Sequence, residues 1–246
     1  MEIIQDLISD LDLNTSVRDI RQGIFHIGVL TRHCGLAATL TRDAQRQRPP
    51  LAGAPGNLME KNPLELAQMS YSESILEAAI GMATINSLLD IDEERCLDIN
   101  ARELIIEKGK DKRVAIVGHF PFIPKIREIV KELWVIEKNP RDGDFTEKEA
   151  EDFVPKAHVV AITGTSLTNH TFDHLLKLCD PKAYVIVLGG TTPLSPILFD
   201  YGVDAVSGTK VINTELALRC ISEGAKFRQI QGTRRLTMVK ETFYRK

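Results

Sequence analysis

The sequence lacks any apolar run near the ~20 residues that a membrane span needs. Its first residues, MEIIQDLISDLDL, also lack the basic and apolar regions of a signal peptide. We therefore expect a cytoplasmic protein without a membrane partner. A charge surplus is missing too, since 31 basic and 34 acidic residues leave a formal net charge of −3. Without a concentrated positive field, nucleic acid is not expected as a partner.

Cysteine is scarce and scattered. The four cysteines, at positions 34, 96, 179 and 220, form no C-x-x-C pair and no dense pattern. This spacing excludes a four-cysteine zinc site and a disulfide scaffold. A Ser-His-Asp or Cys-His arrangement is not recognisable either, so nothing in the sequence favours a hydrolase.

The length of the chain predicts two domains. A chain of 246 residues with 43% hydrophobic content exceeds the ~100–150 residues of a typical domain. The charged run EKGKDKR at 107–113 is typical of a connector. We therefore expect domains at 1–108 and 109–246.

The first half mixes helices with short strands. Apolar residues at helical spacing predict a helix over 2–13, and β-branched residues with glycines predict short strands over 17–41. The segment 42–62, rich in proline and arginine, predicts an irregular loop. Two helices should follow at 63–69 and 74–89, the second largely buried because apolar residues surround it. A smaller α+β domain is expected.

The second half alternates strands with helices. Nearly continuous apolar strands are predicted at 113–118, 133–138, 158–163 and 183–189, with helices between them at 123–131, 146–155 and 168–179. A strand at 203–211 and a helix at 213–224 complete the pattern. This alternation predicts an α/β fold with a Rossmann-like, doubly wound parallel sheet.

A ligand site is expected at the carboxyl ends of these strands, where loops converge and helix N-termini present free N–H groups. The first turn, at 118–121, lacks G-x-G-x-x-G and carries the bulky Phe120 and Pro121. An ordinary dinucleotide site is therefore not expected. Glu137 ends the second strand, where an acidic residue grips a ribose hydroxyl in dinucleotide-binding folds. Its spacing fits a solvated strand end equally well.

Other polar residues leave two readings open. His119 directly follows a buried strand and is either a titrating or metal-binding imidazole or a packed turn histidine. The third and fourth turns, at 163–166 and 189–193, suit a phosphate cradle or simply cap the next helices. Asn86, inside an apolar helix, either bonds a buried backbone group or faces a cleft. His170 and His174, one helical turn apart, favour an exposed helix face over a metal site.

Five separated motifs carry a resemblance to a known family. They are EAAIGMATINS (77–87), GHFPFI (118–123), EKNPRDGD (137–144), TGTSLTNHT (163–171) and GGTTPLSPILFDYGVDAVSG (189–208). The chain resembles a bacterial and archaeal family of uncharacterised proteins that are described as heavy-metal chelation proteins. The resemblance implies a first domain similar to the enolase N-terminal domain, a Rossmann-like second domain, and a site in the cleft between them.

Carried over by motif, the resemblance implies a set of cleft residues, two of which, His119 and Glu137, are candidate metal ligands. The set is Asn86, Gly118, His119, Pro121, Glu137, Thr163, Asn169, Gly189, Thr192 and Pro193. A closed protein-only metal site usually needs about four donors, and two are visible here. A divalent transition metal would therefore arrive inside a small chelate, with the protein gripping the organic part.

Three functions compete. The first is binding or processing of a metal chelate or metal-containing cofactor, which follows from the resemblance and from His119 and Glu137. The second is an enzyme acting on a nucleotide or another phosphate-bearing small molecule, which follows from Glu137 and the hydroxyl-rich turns. The third is a non-catalytic ligand sensor or scaffold. The sequence leaves open whether the protein is a catalyst and whether it forms a homo-oligomer.

Overall fold

The computed structural model describes residues 2–47 and 55–244. In the first half these residues form α1 (Glu2–Ser9), β1 (Asp19–Gln22), β2 (His26–Leu30), β3 (Cys34–Ala38), α2 (Thr41–Arg46), α3 (Pro63–Gln68) and α4 (Ile75–Leu88). They continue with α5 (Ala101–Gly109), β4 (Arg113–Val117), α6 (Ile123–Arg127), β5 (Glu132–Glu137), β6 (Phe145–Thr146), α7 (Ala150–Phe153) and β7 (Val159–Thr163). The remaining elements are α8 (Thr165–Thr168), α9 (Phe172–Leu178), β8 (Tyr184–Leu188), β9 (Ala205–Val211), α10 (Thr214–Ser222), β10 (Thr233–Val239) and α11 (Lys240–Phe243).

The first half contains a three-stranded antiparallel sheet in the order β1-β2-β3. Helix α4 covers one face of this sheet, where Ile27 and Val29 join the main core. Helix α10, from the second half of the chain, covers the other face and packs Leu218 and Ile221 against Leu36. The small sheet therefore lies between a helix from each half of the chain.

Local signals explain why the helices of the first half begin where they do. Pro63 occupies the first turn of α3, and Asn62 and Glu65 form a reciprocal capping box. Ser74 caps α4 by accepting a bond from the backbone of Glu77. Twelve of the fourteen residues of α4 are buried, as the apolar circumference predicts.

Two predictions for the first half need correction. The predicted loop over 42–62 is wrong at its start, because Thr41–Arg46 forms helix α2; residues 48–54 of that loop lie outside the described part of the chain. The first helix ends at Ser9 rather than near residue 13. Both errors come from local composition, which fixes the ends of short elements poorly.

The second half forms a seven-stranded sheet in the order β10-β9-β8-β7-β4-β5-β6. Its strands are parallel except β10, which pairs antiparallel with β9. Strand β4 lies between β5 and β7. The chain first continues from β4 to β5 on one side and, after β6, returns across the sheet to β7 on the other side. This reversal is the topological switch point where open α/β sheets bind ligands.

Both faces of this sheet are apolar. Ala115, Trp134 and Ile162 belong to one core that also includes α4 and α1 of the first half. Val114, Ile116 and residues of α5 and α6 form a separate core on the opposite face. Helices on both faces confirm the doubly wound α/β class predicted from the continuous apolar strands.

Some features of the second half were not predicted. Strand β10 forms an edge of the sheet and carries two adjacent arginines, Arg234 and Arg235. The predicted helix 168–179 is interrupted, because α8 ends at Thr168 and α9 begins at Phe172. His170 lies in the break with a φ of 60° and its Nε2 is 2.8 Å from the carbonyl oxygen of Ser70. His170 and His174 therefore do not share one continuous helix.

Within the described residues, no helix is long and apolar enough to cross a membrane.

Candidate functional site

A pocket of about 720 Å³ opens at the carboxyl ends of β4, β5 and β7. We call it the switch-point pocket; its walls come from segments 117–120, 136–139 and 163–175, from 147–151, and from Phe25 and residues 40–43 of the first half. Five of the ten predicted site residues line it: Gly118, His119, Glu137, Thr163 and Asn169. The strand ends at the switch point thus bring half of the predicted set together.

Glu137 ties the first two turns together. One of its carboxylate oxygens accepts a hydrogen bond from the backbone N–H of His119 at 2.9 Å. The other accepts from the backbone N–H groups of Lys138 at 2.9 Å and Asn139 at 3.4 Å. A carboxylate held by backbone donors is fixed in position, and its unused lone pairs remain the only capacity for a further ligand.

His119 is oriented by a carboxylate that the sequence did not single out. Its Nδ1 lies 2.8 Å from Oδ2 of Asp144, whose side chain is only 2% exposed. The same oxygen accepts a bond from the backbone N–H of Arg141 at 3.0 Å. A histidine whose Nδ1–H donates to a carboxylate carries its free lone pair on Nε2. This arrangement suits both metal ligation and proton transfer.

Gly118 must be glycine for the first turn to pack against the third. Its φ of 105° lies in the region that L side chains rarely adopt. A Cβ at this position would lie 3.1 Å from Cβ of Thr163 and 3.3 Å from the ring of Phe120. The absence of a side chain therefore lets β4 and β7 end close together at the pocket.

Hydroxyl and amide groups shape the third turn. The Oγ1 atoms of Thr163 and Thr165 are 3.0 Å apart, and Ser166 Oγ donates to the carbonyl of Thr163 at 2.6 Å. Asn169 Oδ1 accepts from Oγ1 of Thr171 at 2.7 Å and from its backbone N–H at 3.2 Å. With its oxygen engaged, Asn169 keeps its amide N–H groups as donors for a ligand.

A second pocket, of about 490 Å³, opens beside the first at the carboxyl ends of β7 and β8 and along residues 207–209 of β9. Pro121, Thr163 and Gly189 of the predicted set line it. The two pockets share Phe120, Thr163 and Thr165. The rings of Phe120 and Phe122 stack at 5.2 Å in the wall of the second pocket.

The other three predicted residues lie elsewhere. Asn86 lines a smaller pocket of about 290 Å³ and donates from Nδ2 to the carbonyls of Leu36 at 2.9 Å and Thr191 at 3.0 Å. It therefore ties α4 to β3 and to the fourth turn. Thr192 and Pro193 are buried and line none of these three pockets. A side chain at Gly164 would overlap Thr192, so this threonine packs directly beneath the third turn.

The described residues do not build a protein-only metal site. No group of three or more His, Cys, Asp or Glu side chains within them is arranged to hold an ion. Glu137 is largely engaged by backbone donors, and Asp144 is engaged by His119. The donor set accordingly fits a metal whose other ligands come from elsewhere.

Asp144 and helix α2 are the parts of the site that sequence reasoning missed. Asp144 stands in the segment 137–144 that carried the family resemblance, and this was the signal that the sequence offered for it. The residues of α2 were hidden because their segment was interpreted as a loop. Arg42 and Asp43 from this helix line the switch-point pocket.

Family models cover most of the chain. A model of the DUF364 family, described as "Putative heavy-metal chelation", matches residues 100–240. A model of the DUF4213 family, with the same description, matches residues 4–89. The gap between the two matches, residues 90–99, precedes the predicted domain boundary at 108/109, which falls inside the DUF364 match.

Relatives and solved structures agree with these matches. The chain is 28% identical over 167 residues to "Uncharacterized protein MJ0500" of Methanocaldococcus jannaschii, a match that covers 65% of this chain and 64% of that protein. A crystal structure of a DUF364 protein of unknown function from Desulfitobacterium hafniense shares 26% identity and covers 97% of both chains with a TM-score of 0.82. A DUF364 protein of unknown function from Pyrococcus horikoshii has the same fold at 23% identity, covering 96% of this chain and 98% of its own with a TM-score of 0.82. The chain belongs to the family described as "Putative heavy-metal chelation".

Proposed function

We propose that the protein binds a transition-metal ion already held by a small organic chelator, and that the complex occupies the switch-point pocket as the cleft ligand. The observation that carries this proposal is that His119, oriented by Asp144, lines a pocket far larger than a bare ion. In this proposal His119 Nε2 supplies one ligand to the metal. The chelator supplies the others.

The size of the pocket supports an organic ligand. A volume of about 720 Å³ falls within the ~300–1,000 Å³ of typical small-molecule sites. Apolar residues such as Leu40, Val117 and Ile136 line it together with charged residues of both signs, including Arg42 and Asp43. This mixture suits a chelator that presents both a carbon skeleton and polar groups.

The donor count supports a metal that arrives chelated. Of the two histidines among the described residues that line the pocket, His119 is the one whose ring a buried carboxylate orients. The protein therefore leaves most of the coordination sphere to be filled by other ligands. The buried Asp144 carboxylate fixes the orientation of the imidazole. A single, rigidly held imidazole can bind a metal ion that keeps its chelator. It supplies too few ligands to remove the ion from that chelator.

Equilibrium dialysis of metal-free protein tests this proposal. Ni²⁺ is offered alone and as its complexes with L-histidine and with citrate, and bound nickel is counted. We expect retention of a complex above that of the free ion, and loss of retention in His119→Ala. His158→Ala is the matched control. His158 is exposed and directly precedes β7, so it lies at the amino-terminal ends of the strands, opposite the pocket. Equal retention of free Ni²⁺, retention of neither complex, or full retention by His119→Ala would contradict the proposal.

A further inference from the structure

The second pocket is strongly cationic. Four basic residues line it: Arg102, Lys226, Arg228 and Arg235. Within the described residues, no aspartate or glutamate lines this pocket. The switch-point pocket beside it carries charges of both signs. We call the second pocket the cationic pocket.

The cations of this pocket have few partners inside the protein. Across residues 2–47 and 55–244, Lys226, Arg228 and Arg235 form no ion pair; Arg235 lies over the ring of Phe227 at 5.4 Å. Arg102 has a buried Nε without a hydrogen-bond partner, while its Nη2 lies 3.4 Å from a carboxylate oxygen of Glu103. Arg234, the neighbour of Arg235 in strand β10, differs from it because it forms an ion pair with Glu93 at 3.0 Å. Among the described residues, Glu103 is the one carboxylate paired with any of these four cations. The remaining positive charges repel each other, so an anion in the pocket would relieve that repulsion.

The backbone of the fourth turn is accessible in the cationic pocket. Gly189 follows β8 with a φ of 123°, a conformation that suits glycine. A Cβ at Gly190 would lie 2.7 Å from the ring of Phe227 and would fill space in the pocket wall. The hydroxyl groups of Thr165 and Ser207 also line the pocket. Small residues and hydroxyl donors beside arginines are the chemistry that oxyanions require.

We propose that the cationic pocket binds a small molecule through a multiply charged oxyanion group, either a phosphate or a polycarboxylate. Arg102 and Arg235 serve as the principal partners, because guanidinium groups form paired hydrogen bonds to such anions. Phe120, Phe122 and Phe227 enclose the less polar part of the molecule. This site is distinct from the metal position and does not depend on the chelate proposal, although the shared residues Phe120 and Thr165 let one long ligand occupy both pockets.

Isothermal titration calorimetry on the metal-free full chain tests the site, with pyrophosphate and citrate as separate probes. We expect at least one probe to bind, and its affinity to fall as ionic strength rises. The stronger probe identifies the phosphate or the carboxylate source. Arg235→Gln and Arg102→Gln should each weaken this binding at least about tenfold, the loss expected for a charged hydrogen-bonding partner.

Arg234→Gln is the matched control for Arg235→Gln. It removes the same charge from the adjacent position of β10, but its side chain points to the other face and pairs with Glu93. We expect its affinity for the probe to stay within about twofold of the wild-type value. Circular dichroism verifies that all three variants fold. Absence of binding by both probes at millimolar concentration, or equal weakening by Arg234→Gln and Arg235→Gln, would overturn the proposal.

Discussion

The imidazole Nδ1 of His119 lies 2.8 Å from Oδ2 of Asp144, a carboxylate that is almost fully buried. The two residues belong to the turns after β4 and β5, which Glu137 also joins through the backbone of His119. Asp144 thus holds the ring of His119, and Glu137 holds its backbone. This pairing gives the switch-point pocket a nitrogen of defined orientation.

Replacing Asp144 should weaken ligand binding more than folding. In Asp144→Asn the side-chain amide N–H faces Nδ1 and favours the wrong imidazole tautomer. Loss of such an orienting carboxylate typically costs about 10–100-fold in metal affinity, and we expect a loss of this size for the nickel complex that wild type retains. Equilibrium dialysis measures it. Asp142→Asn, an exposed change in the same turn, should keep the wild-type affinity; equal losses in both variants would show that Asp144 does not orient His119.

Alanine substitutions at two glycines with positive φ distinguish the free-energy cost of backbone strain from the cost of close packing. In Gly143→Ala the new Cβ has no atom within 4 Å, so only the φ of 82° opposes the change. We expect a loss of about 1 kcal/mol in unfolding free energy. Gly118→Ala should lose at least about 1 kcal/mol more, because its Cβ crowds Thr163. Urea denaturation followed by circular dichroism gives both values. Equal losses would mean that the first and third turns are not packed as described.

Asn86 should contribute to stability rather than to ligand affinity in the switch-point pocket. Asn86→Ala removes two hydrogen bonds and leaves the carbonyls of Leu36 and Thr191 without their donor. We expect a loss of about 1–3 kcal/mol in unfolding free energy. The dialysis assay should give unchanged retention of the nickel complex at a temperature where the variant is folded. Unchanged stability with lost retention would assign Asn86 to the ligand instead.

His26 should make the protein sensitive to mild acid. Burial lowers the pKa of His26 to about 4, an effect that a backbone hydrogen bond with Ala225 only partly opposes. Between the ordinary pKa of 6.5 and about 4, the unfolded chain therefore takes up a proton that the folded chain does not. The contribution of neutral, buried His26 to the unfolding free energy is complete above pH 6.5 and is lost as the pH falls from 6.5 to about 4.

The variant His26→Gln cannot take up this proton. Its unfolding free energy should fall less steeply with decreasing pH, by up to about 1.4 kcal/mol per pH unit. Urea denaturation at a series of pH values from neutral to acid compares the two slopes. Identical slopes for the two proteins would show that His26 does not titrate on unfolding.

The sequence predicted the sheet better than its edges. Strands β4, β5, β7 and β8 are buried on both faces, so their continuous apolar runs identified them directly. Strand β10 was not predicted because the exposed Arg234 and Arg235 near its start shorten its apolar run. Helix α2 escaped because six residues next to a proline-rich segment carry little periodic signal.

The candidate site was predictable where it depends on strand ends. The positions of Gly118, His119, Glu137 and Thr163 follow from the rule that parallel strands present their carboxyl ends at one edge. The partnership of His119 with Asp144 was not predictable, because it joins two loops whose path depends on tertiary packing. The cationic pocket was hidden for the same reason. Its basic residues come from α5, β10 and the segment 226–228, which are far apart in the sequence.

Native mass spectrometry is the most direct test that the metal enters with an organic partner and binds through His119. The protein is purified without chelating agents from cells supplied with Ni²⁺, Co²⁺ and Fe²⁺, and elemental analysis identifies the ion. We predict an adduct whose mass equals one metal ion plus a small organic molecule, present in wild type and His158→Ala and absent in His119→Ala. An adduct with the mass of a bare ion, or the same adduct in His119→Ala, would contradict this account.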